Sequence, residues 1–395
     1  MNPSRRAQAA RPFHAMAVSQ RAAELESAGH DVVKLSLGEP DFGAPQSVRE
    51  AMREAMDGRP LPYTSALGLP ALRAAIAGFY RDRHGVEVDP VRIVVTSGAS
   101  AALLLVTAAT VDPGGEVILA DPSYPCNREL IATFGGRVVA VPTEAATRFQ
   151  LDTAAVEAAW TDRTAAVMIA SPSNPTGTSI PAAELAAICA LARERGRWRI
   201  VDEIYLDLAD PTPAGPARSV LATDPGAIVI SSFSKYFGMT GWRLGWCVLP
   251  AELVPAAERL AQNYFICAST PAQVAALACF TPETLAVCEE RRREFVARRE
   301  LVLDGLSRLG LPVPAVPDGA FYVYFDVSGT GIGSWEFCRR ALDEAYVALT
   351  PGRDFGTHTA ESQVRLSYAA SRAELERGLT RLAGFLQQLS TGARR

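Results

Sequence analysis

Seven short β-branched runs, "RIVVT" (92–96), "EVILA" (116–120), "RVVAV" (137–141), "AAVMIA" (165–170), "WRIVD" (198–202), "AIVIS" (227–231) and "RLGWCVL" (243–249), punctuate the middle of this chain. Between some of them lie longer stretches with helical spacing and a glycine stop, such as "SAALLLVTAATV" and "PAAELAAICALARERG". Runs this apolar have no solvated face, so they must be covered on both sides. Alternation of such strands with helices predicts a three-layer α/β/α domain around a mostly parallel, seven-stranded sheet. Ligands in such sheets bind beyond the carboxyl ends of the strands. From about residue 290 the pattern changes. "EERRREFVARRELVLDGLSRLG" reads as one long amphipathic helix, and "FYVYFDV" and "QVRLSYA" alternate like half-exposed strands. The expected division is an N-terminal segment (1–35) packing with a small α/β domain (286–395), and a large domain over 36–285.

Charge and apolar content exclude several classes. A net charge of −4 gives no basic surface for nucleic acid or anionic membrane. The longest apolar run, "AALLLVTAATV" (101–111), is too short to span a bilayer. "MNPSRRAQAARPFHAM" lacks the apolar stretch of a secretory signal. The seven cysteines form no CxxC pair and do not cluster with the four histidines. They read as reduced thiols of a cytoplasmic protein without a metal site or a disulfide framework.

Polar residues gather where the strands end: "TSGAS" (96–100), "DPSYPCN" (121–127), "SPSNPTG" (171–177), "DEIY" (202–205) and "SSFSK" (231–235). Each alone reads as an ordinary βα turn or strand cap. The last is unusual in composition. Arginine supplies all 39 Lys and Arg residues except Lys34 and Lys235. A lysine at 235 therefore points to an amine that must lose its proton, which a guanidinium cannot do.

In this order the five stretches, with "LGEPDF" (37–42), "YTSALGLPALRAAIA" (63–77), "SFSKYFGMTGWRLGW" (232–246) and "VRLSYA" (364–369), resemble the class I/II aminotransferases of fold-type I, over nearly the whole chain. The resemblance implies pyridoxal 5′-phosphate as cofactor and transfer of an amino group between an L-amino acid and a 2-oxo acid by a ping-pong mechanism. It makes Lys235 the Schiff-base lysine and proton shuttle, and Asp202 the anion that keeps the pyridine nitrogen protonated. Tyr205 and Asn174 match residues that hydrogen-bond the cofactor's phenolic oxygen, and Tyr124 matches the aromatic ring stacked on it. The phosphate would sit at a helix start on Gly98, Ala99 and Ser100, with Ser232 and Arg243 added. Ser234 would only pack. Tyr63 matches a tyrosine that reaches the neighbouring subunit's phosphate, implying a homodimer with shared active sites. Arg365 and the backbone of Gly38 would bind the substrate's α-carboxylate, Arg365 by a bidentate fork, beside Asn174; without that role Arg365 would need a protein carboxylate.

Relatives acting on acidic substrates carry "GAK" where this chain has "GAS", so Ser100 replaces a lysine and non-acidic donors are expected. Asn127 stands in place of an aromatic residue, "QNYFICAST" (262–270) is expected near the partner's site, and His14 and Met16 either line the pocket or merely pack. The same machinery also serves lyases and decarboxylases. A cofactor-sensing regulator is disfavoured, because only about 35 residues precede "LSLGEP", and a dehydrogenase because no GxGxxG follows an early strand.

Overall fold

The computed structural model describes residues 2–11, 13–211 and 217–392. Its strands are β1 (Val33–Lys34), β2 (Ile93–Thr96), β3 (Glu116–Asp121), β4 (Arg137–Pro142), β5 (Thr164–Ala170), β6 (Trp198–Asp202), β7 (Ile228–Ser232), β8 (Gly245–Val248), β9 (Tyr322–Asp326), β10 (Val347–Ala348), β11 (Thr350–Pro351) and β12 (Gln363–Ser367). The seven expected strands form one sheet in the order β2-β8-β7-β6-β5-β3-β4. All neighbours run parallel except β8, which is antiparallel to both β2 and β7. The run from 243 becomes a strand only at Gly245, because Arg243 takes a left-handed conformation (φ 52°) that ends the preceding turn.

Alternate side chains leave this sheet for opposite faces. Val95, Val201, Val229 and Trp246 join the core on one, while Val94, Ile200, Ile228 and Cys247 join that on the other, beneath the helix Ala99–Thr110. A separate core takes Ile118, Val141, Val167 and Ile169 of β3 to β5. Burial on both faces is the reason six of these runs carry no polar alternation; β4, expected to be covered likewise, is an edge strand in which only Val141 is buried. Register then brings functional ends together. Ala170 pairs with Asp202, and Ser232 and Thr96 both pair with Gly245, so all five sit at one edge of the sheet.

The C-terminal part has a different logic. β11-β12-β9 form an antiparallel sheet, and β1 pairs in parallel with β10, so the N-terminal segment joins this part. The helix His14–Ser27 adds Val18, Ala22 and Leu25 to a core with Leu342 and Ala348. The long helix Pro282–Arg308 opens on Thr281, which accepts a hydrogen bond from the Thr284 N–H, with proline at the first position. The expected division at 285–286 falls in its first turn. The strands expected to be half-exposed are not: Tyr322–Phe325 and Gln363–Ser367 are buried throughout. Val323 and Phe325 join the core beneath the long helix, while Tyr322 lines the cavity described next and Tyr324 is covered by Phe149 and Phe355.

No helix among the described residues is long and apolar enough to cross a membrane. No cluster of three or more His, Cys, Asp or Glu side chains among them is placed to hold a metal ion. All seven cysteines are free.

Candidate active site

A cavity of about 550 Å³ opens at the carboxyl ends of β5 and β6 and the turn after β7, and is completed by residues from the N-terminal segment and the small sheet. Lys235 reaches into it from the turn after β7, open only to the cavity. Its Nζ donates to the Gly38 carbonyl at 2.6 Å and lies 5.9 Å and 5.8 Å from the ring centres of Tyr205 and Phe321. Burial pulls its pKa down to about 8; Glu39 opposes this, and Arg365 and Arg243 reinforce it. A glycine is required at 38, because a Cβ there would lie 2.5 Å from the Tyr322 hydroxyl.

Asp202 ends β6 and is 6% exposed. Its carboxylate accepts the Ile204 N–H at 3.1 Å, and burial pushes its pKa up to about 6, with the Lys235 charge pulling the other way. A buried acid without an ion pair is costly unless something cationic joins it. The Tyr205 hydroxyl lies 2.9 Å from that of Tyr322. Asn174 points its Oδ1 at Arg365 rather than into the cavity, and its amide nitrogen has no partner among the described residues.

Gly98 (φ 81°) turns the chain into the helix Ala99–Thr110, whose first N–H groups are free as at any helix start. The Arg243 guanidinium lies over this turn. A Cβ on Gly98 would come within 2.7 Å of Arg243 Nη2, and one on Gly245 within 2.8 Å of the Ala99 nitrogen. Arg243 donates to the Thr240 carbonyl at 2.9 Å and has no acidic partner among the described residues. This is a cationic, N–H-lined cradle of the kind that holds phosphate.

The two serines of this turn face different ways. Ser232 is buried behind the wall, its hydroxyl 2.9 Å from that of Ser234 and 3.0 Å from the Leu244 carbonyl, whereas Ser234 lines the cavity. As the last residue of β7, Ser232 is held by pairing with Gly245, so the turn offers the later serine to the cavity. Ser100 and Tyr124 line the cavity. Tyr63 does not; it is 77% exposed.

Arg365, in the middle of β12, is 6% exposed. Nη1 donates to Asn174 Oδ1 at 2.8 Å, and Nη2 to the Ser36 carbonyl at 2.7 Å and Thr350 Oγ1 at 3.1 Å. Its plane stacks between Tyr322 and Phe355, 4.5 Å and 4.9 Å from the ring centres. Every acceptor is neutral, and the buried Nε has none. A buried guanidinium so arranged is short of one anion.

Sequence reasoning missed Tyr322, Thr350 and Phe355, which orient Arg365 and Tyr205. Tyr322 lies in an aromatic strand whose pattern speaks only of burial. Met16 lines the cavity, while His14 packs on Trp335, and the backbone N–H groups of His14 and Ala15 donate to Asp354 at 2.6 and 2.7 Å. Asn127 is buried off the cavity, and residues 262–270 do not line it.

A lysine and a lone acid at the strand ends of the seven-stranded sheet, faced by an open arginine from the small sheet, are the arrangement of a fold-type I transferase. The sequence profile of the family "Aminotransferase class I and II" matches residues 30–382. The valine–pyruvate aminotransferase of Mycobacterium tuberculosis is 42% identical over 95% of this chain and 96% of its own length. The aspartate/prephenate aminotransferase of Thermus thermophilus is 37% identical over 97% and 98%. A solved aminotransferase from M. tuberculosis superposes with a TM-score of 0.93 at 40% identity, covering 98% of this chain and all of that one. The T. thermophilus aspartate aminotransferase with maleate gives 0.91 at 37% identity, covering 97% and 99%. The chain belongs to the class I and II aminotransferases, a family that in general depends on pyridoxal 5′-phosphate, and it acts as an aminotransferase.

Proposed function

We propose that this aminotransferase moves the amino group of a neutral L-amino acid to a 2-oxo acid by ping-pong turnover at the cavity around Lys235, with pyridoxal 5′-phosphate as its cofactor. The observation that carries the reading is the placement of Lys235 in one cavity with an unpaired buried acid, Asp202, and an arginine, Arg365, that lacks an anion. The residues fit the cofactor. Gly98, Ala99, Ser100, Ser234 and Arg243 would hold its phosphate, with Ser232 supporting Ser234 from behind; Asp202 would face its ring nitrogen, and Tyr205 and the Asn174 amide its phenolic oxygen, under the Tyr124 ring.

Bound pyridoxal phosphate supplies an aldehyde that captures amines and an electron-poor ring that stabilises the charge left when a Cα proton departs. The protein does the rest. Lys235 anchors the group through its amine and, once displaced, takes the Cα proton and returns it. A pKa near 8 leaves a fraction of the amine unprotonated at neutral pH. Arg365 and the Gly38 turn orient the substrate by its α-carboxylate. Tyr63, exposed here, would complete the phosphate site of a second copy, making the enzyme a homodimer with shared sites. The name of the valine–pyruvate relative and the serine at 100 both favour neutral donors.

The test is an absorption spectrum of the purified protein with pyridoxal 5′-phosphate, followed by a panel of donors: valine, phenylalanine and aspartate, each with and without pyruvate. A near-visible band that shifts with one donor, one equivalent of 2-oxo acid per site without acceptor, and parallel double-reciprocal plots with it are expected. Absence of the band, or release of ammonia or carbon dioxide, overturns the proposal.

A further inference from the structure

Behind the cavity, on the far side from any substrate, the helix Pro70–Phe79 ends in one π-helical turn, Tyr80–His84. Such turns place an extra residue into a helix and are often found at functional sites. Here the widened turn sends Tyr80, Arg83 and His84 inward together, with Tyr80 and His84 only 2% and 3% exposed.

Each of the three meets a residue adjoining a site residue. Tyr80's hydroxyl accepts the Trp246 Nε1–H at 3.2 Å, three residues after Arg243. Arg83 Nε donates to Asp207 Oδ1 at 2.6 Å, two residues after Tyr205, and His84 Nε2 lies 3.3 Å from the same oxygen. Arg83 Nη2 donates to Glu289 Oε1 at 2.7 Å, and that oxygen also accepts the hydroxyl of Tyr236, the residue after Lys235, at 2.8 Å. The Arg83 guanidinium lies 4.8 Å from the Tyr236 ring centre. His84 Nδ1, 3.0 Å from the Ala217 carbonyl, closes the back of the cluster. Arg83, Asp207, Tyr236 and Glu289 do not line the cavity, and neither do Tyr80, His84 and Trp246, so they do not touch what binds there.

We infer that the π-helical turn Tyr80–His84 is a positioning element for catalysis, with Arg83 as the clamp that fixes the Tyr205 and Lys235 segments relative to each other. The inference rests on the functional reading above. The physical ground is fork geometry. One guanidinium binds two acids on different elements at once and stacks on Tyr236, which a lysine ammonium cannot reproduce. Without the fork, Asp207 keeps His84 and Glu289 keeps Tyr236, but nothing among the described residues joins the two acids to each other, and the Lys235 amine loses its fixed distance from Tyr205. Displacements of about 1 Å at a reacting group cost about a hundredfold in rate.

The experiment compares wild type, Arg83→Lys and Tyr236→Phe. Arg83→Lys keeps the charge that Asp207 and Glu289 need, and Tyr236→Phe deletes a single hydroxyl, so a fold lost in the first variant leaves the second to decide. Two readouts are used. The first is kcat and KM of the holoenzyme. The second is a pH titration of 13C-labelled lysine by NMR in the cofactor-free protein, where the chain's only two lysines give Lys235 and an internal control, Lys34. The expected result for Arg83→Lys is a kcat lower by about ten- to a hundredfold at little-changed KM, with the Lys235 midpoint moved upward from about 8 and Lys34 unmoved. Tyr236→Phe is expected to move both in the same direction by less. A lowered melting temperature with kcat and the Lys235 midpoint unchanged in both variants overturns the inference and leaves the turn a packing element. Wild-type protein that binds no pyridoxal phosphate overturns the functional reading instead, and the lysine titration still decides whether Arg83 positions Lys235.

Discussion

Two arginines in this molecule are buried almost equally, and their surroundings differ in charge. Arg298, on the long helix, is 4% exposed, and Arg365, on β12, 6%. Each rests on two aromatic rings, Arg298 on Phe42 and Phe295, Arg365 on Tyr322 and Phe355. Around Arg298 the charge is answered: Asp41 lies at 2.8 Å and Glu294 at 3.0 Å, and the Ala369 carbonyl accepts a second bond from Nη1. Around Arg365 there are only an amide, a carbonyl and a hydroxyl, and Nε is left over. Burial alone therefore does not distinguish a structural cation from a binding one. The formal charge of the acceptors does, because neutral dipoles hold a guanidinium's direction without cancelling its charge.

The largest effect that would break the contrast between permanent and adjustable cations is at Lys235. Lys235→Arg keeps a cation in the cavity and should lower turnover by at least about 10⁴-fold, because a guanidinium neither captures an aldehyde nor gives up a proton. Measurable steady-state turnover in that variant sinks the assignment. Next is Arg365→Met, which should lower kcat/KM for amino acids about a hundred- to a thousandfold, the worth of a desolvated charge pair with carboxylate, while the melting temperature holds or rises. Arg298→Met is the mirror image. It strands Asp41 half-buried, leaves Glu294 with Arg372 as its one arginine partner among the described residues, and should cost about 2 kcal/mol of stability, read by urea unfolding, with kcat/KM per folded molecule unchanged. If both variants lose stability alike, the two arginines are not different in kind.

The Lys235 amine should also be visible in stability against pH, in the cofactor-free protein. Its pKa in the folded chain, about 8, lies below the ordinary 10.5. Between those values the unfolded chain holds a proton that the folded one has released, so stability rises as pH climbs from about 8 towards 10.5. Comparison of unfolding free energies for wild type and Lys235→Met across that window checks the sign: the rise should be missing from the variant.

Much of the fold could be read along the chain for one reason. A strand buried on both faces has to be apolar throughout, and six of the seven runs announced themselves in this way without any knowledge of their neighbours, while β4, at the sheet edge, is apolar though largely uncovered. The same rule misled at 322–325. There the second face of Tyr322 and Tyr324 is buried by the cavity wall and by Phe149 and Phe355, contacts between residues far apart in sequence. Which of Ser232 and Ser234 faces the cavity could not be read along the chain, since it depends on how Phe233 hydrogen-bonds to Leu244 across the turn. Arg243's left-handed backbone was equally hidden. Lys235 was legible because its chemistry excludes the residue this chain otherwise prefers, whereas Tyr322, Thr350 and Phe355 use common residues whose roles exist only through packing.

The smallest expected effect concerns the third kind of cation, one that is absent. The charged side chains lining the cavity are Glu39, Asp202, Lys235, Arg243, Asp354 and Arg365. Asp354 is taken by the His14 and Ala15 N–H groups, and the three cations lie where aldehyde, phosphate and α-carboxylate would bind. A donor with a second carboxylate thus finds no counter-charge on the described wall, and the one charge left over, Glu39, is an anion without an ion pair. Ser100→Lys puts an ammonium at the exposed lip of the phosphate turn, in high-dielectric surroundings, where a pair with carboxylate contributes about 1 kcal/mol. The variant should raise kcat/KM for aspartate about fivefold relative to valine, and the gain should shrink as salt is added, because an exposed pair is screened. An equal change for both donors would show that position 100 acts on the phosphate site alone, and that donor choice is set elsewhere on the wall.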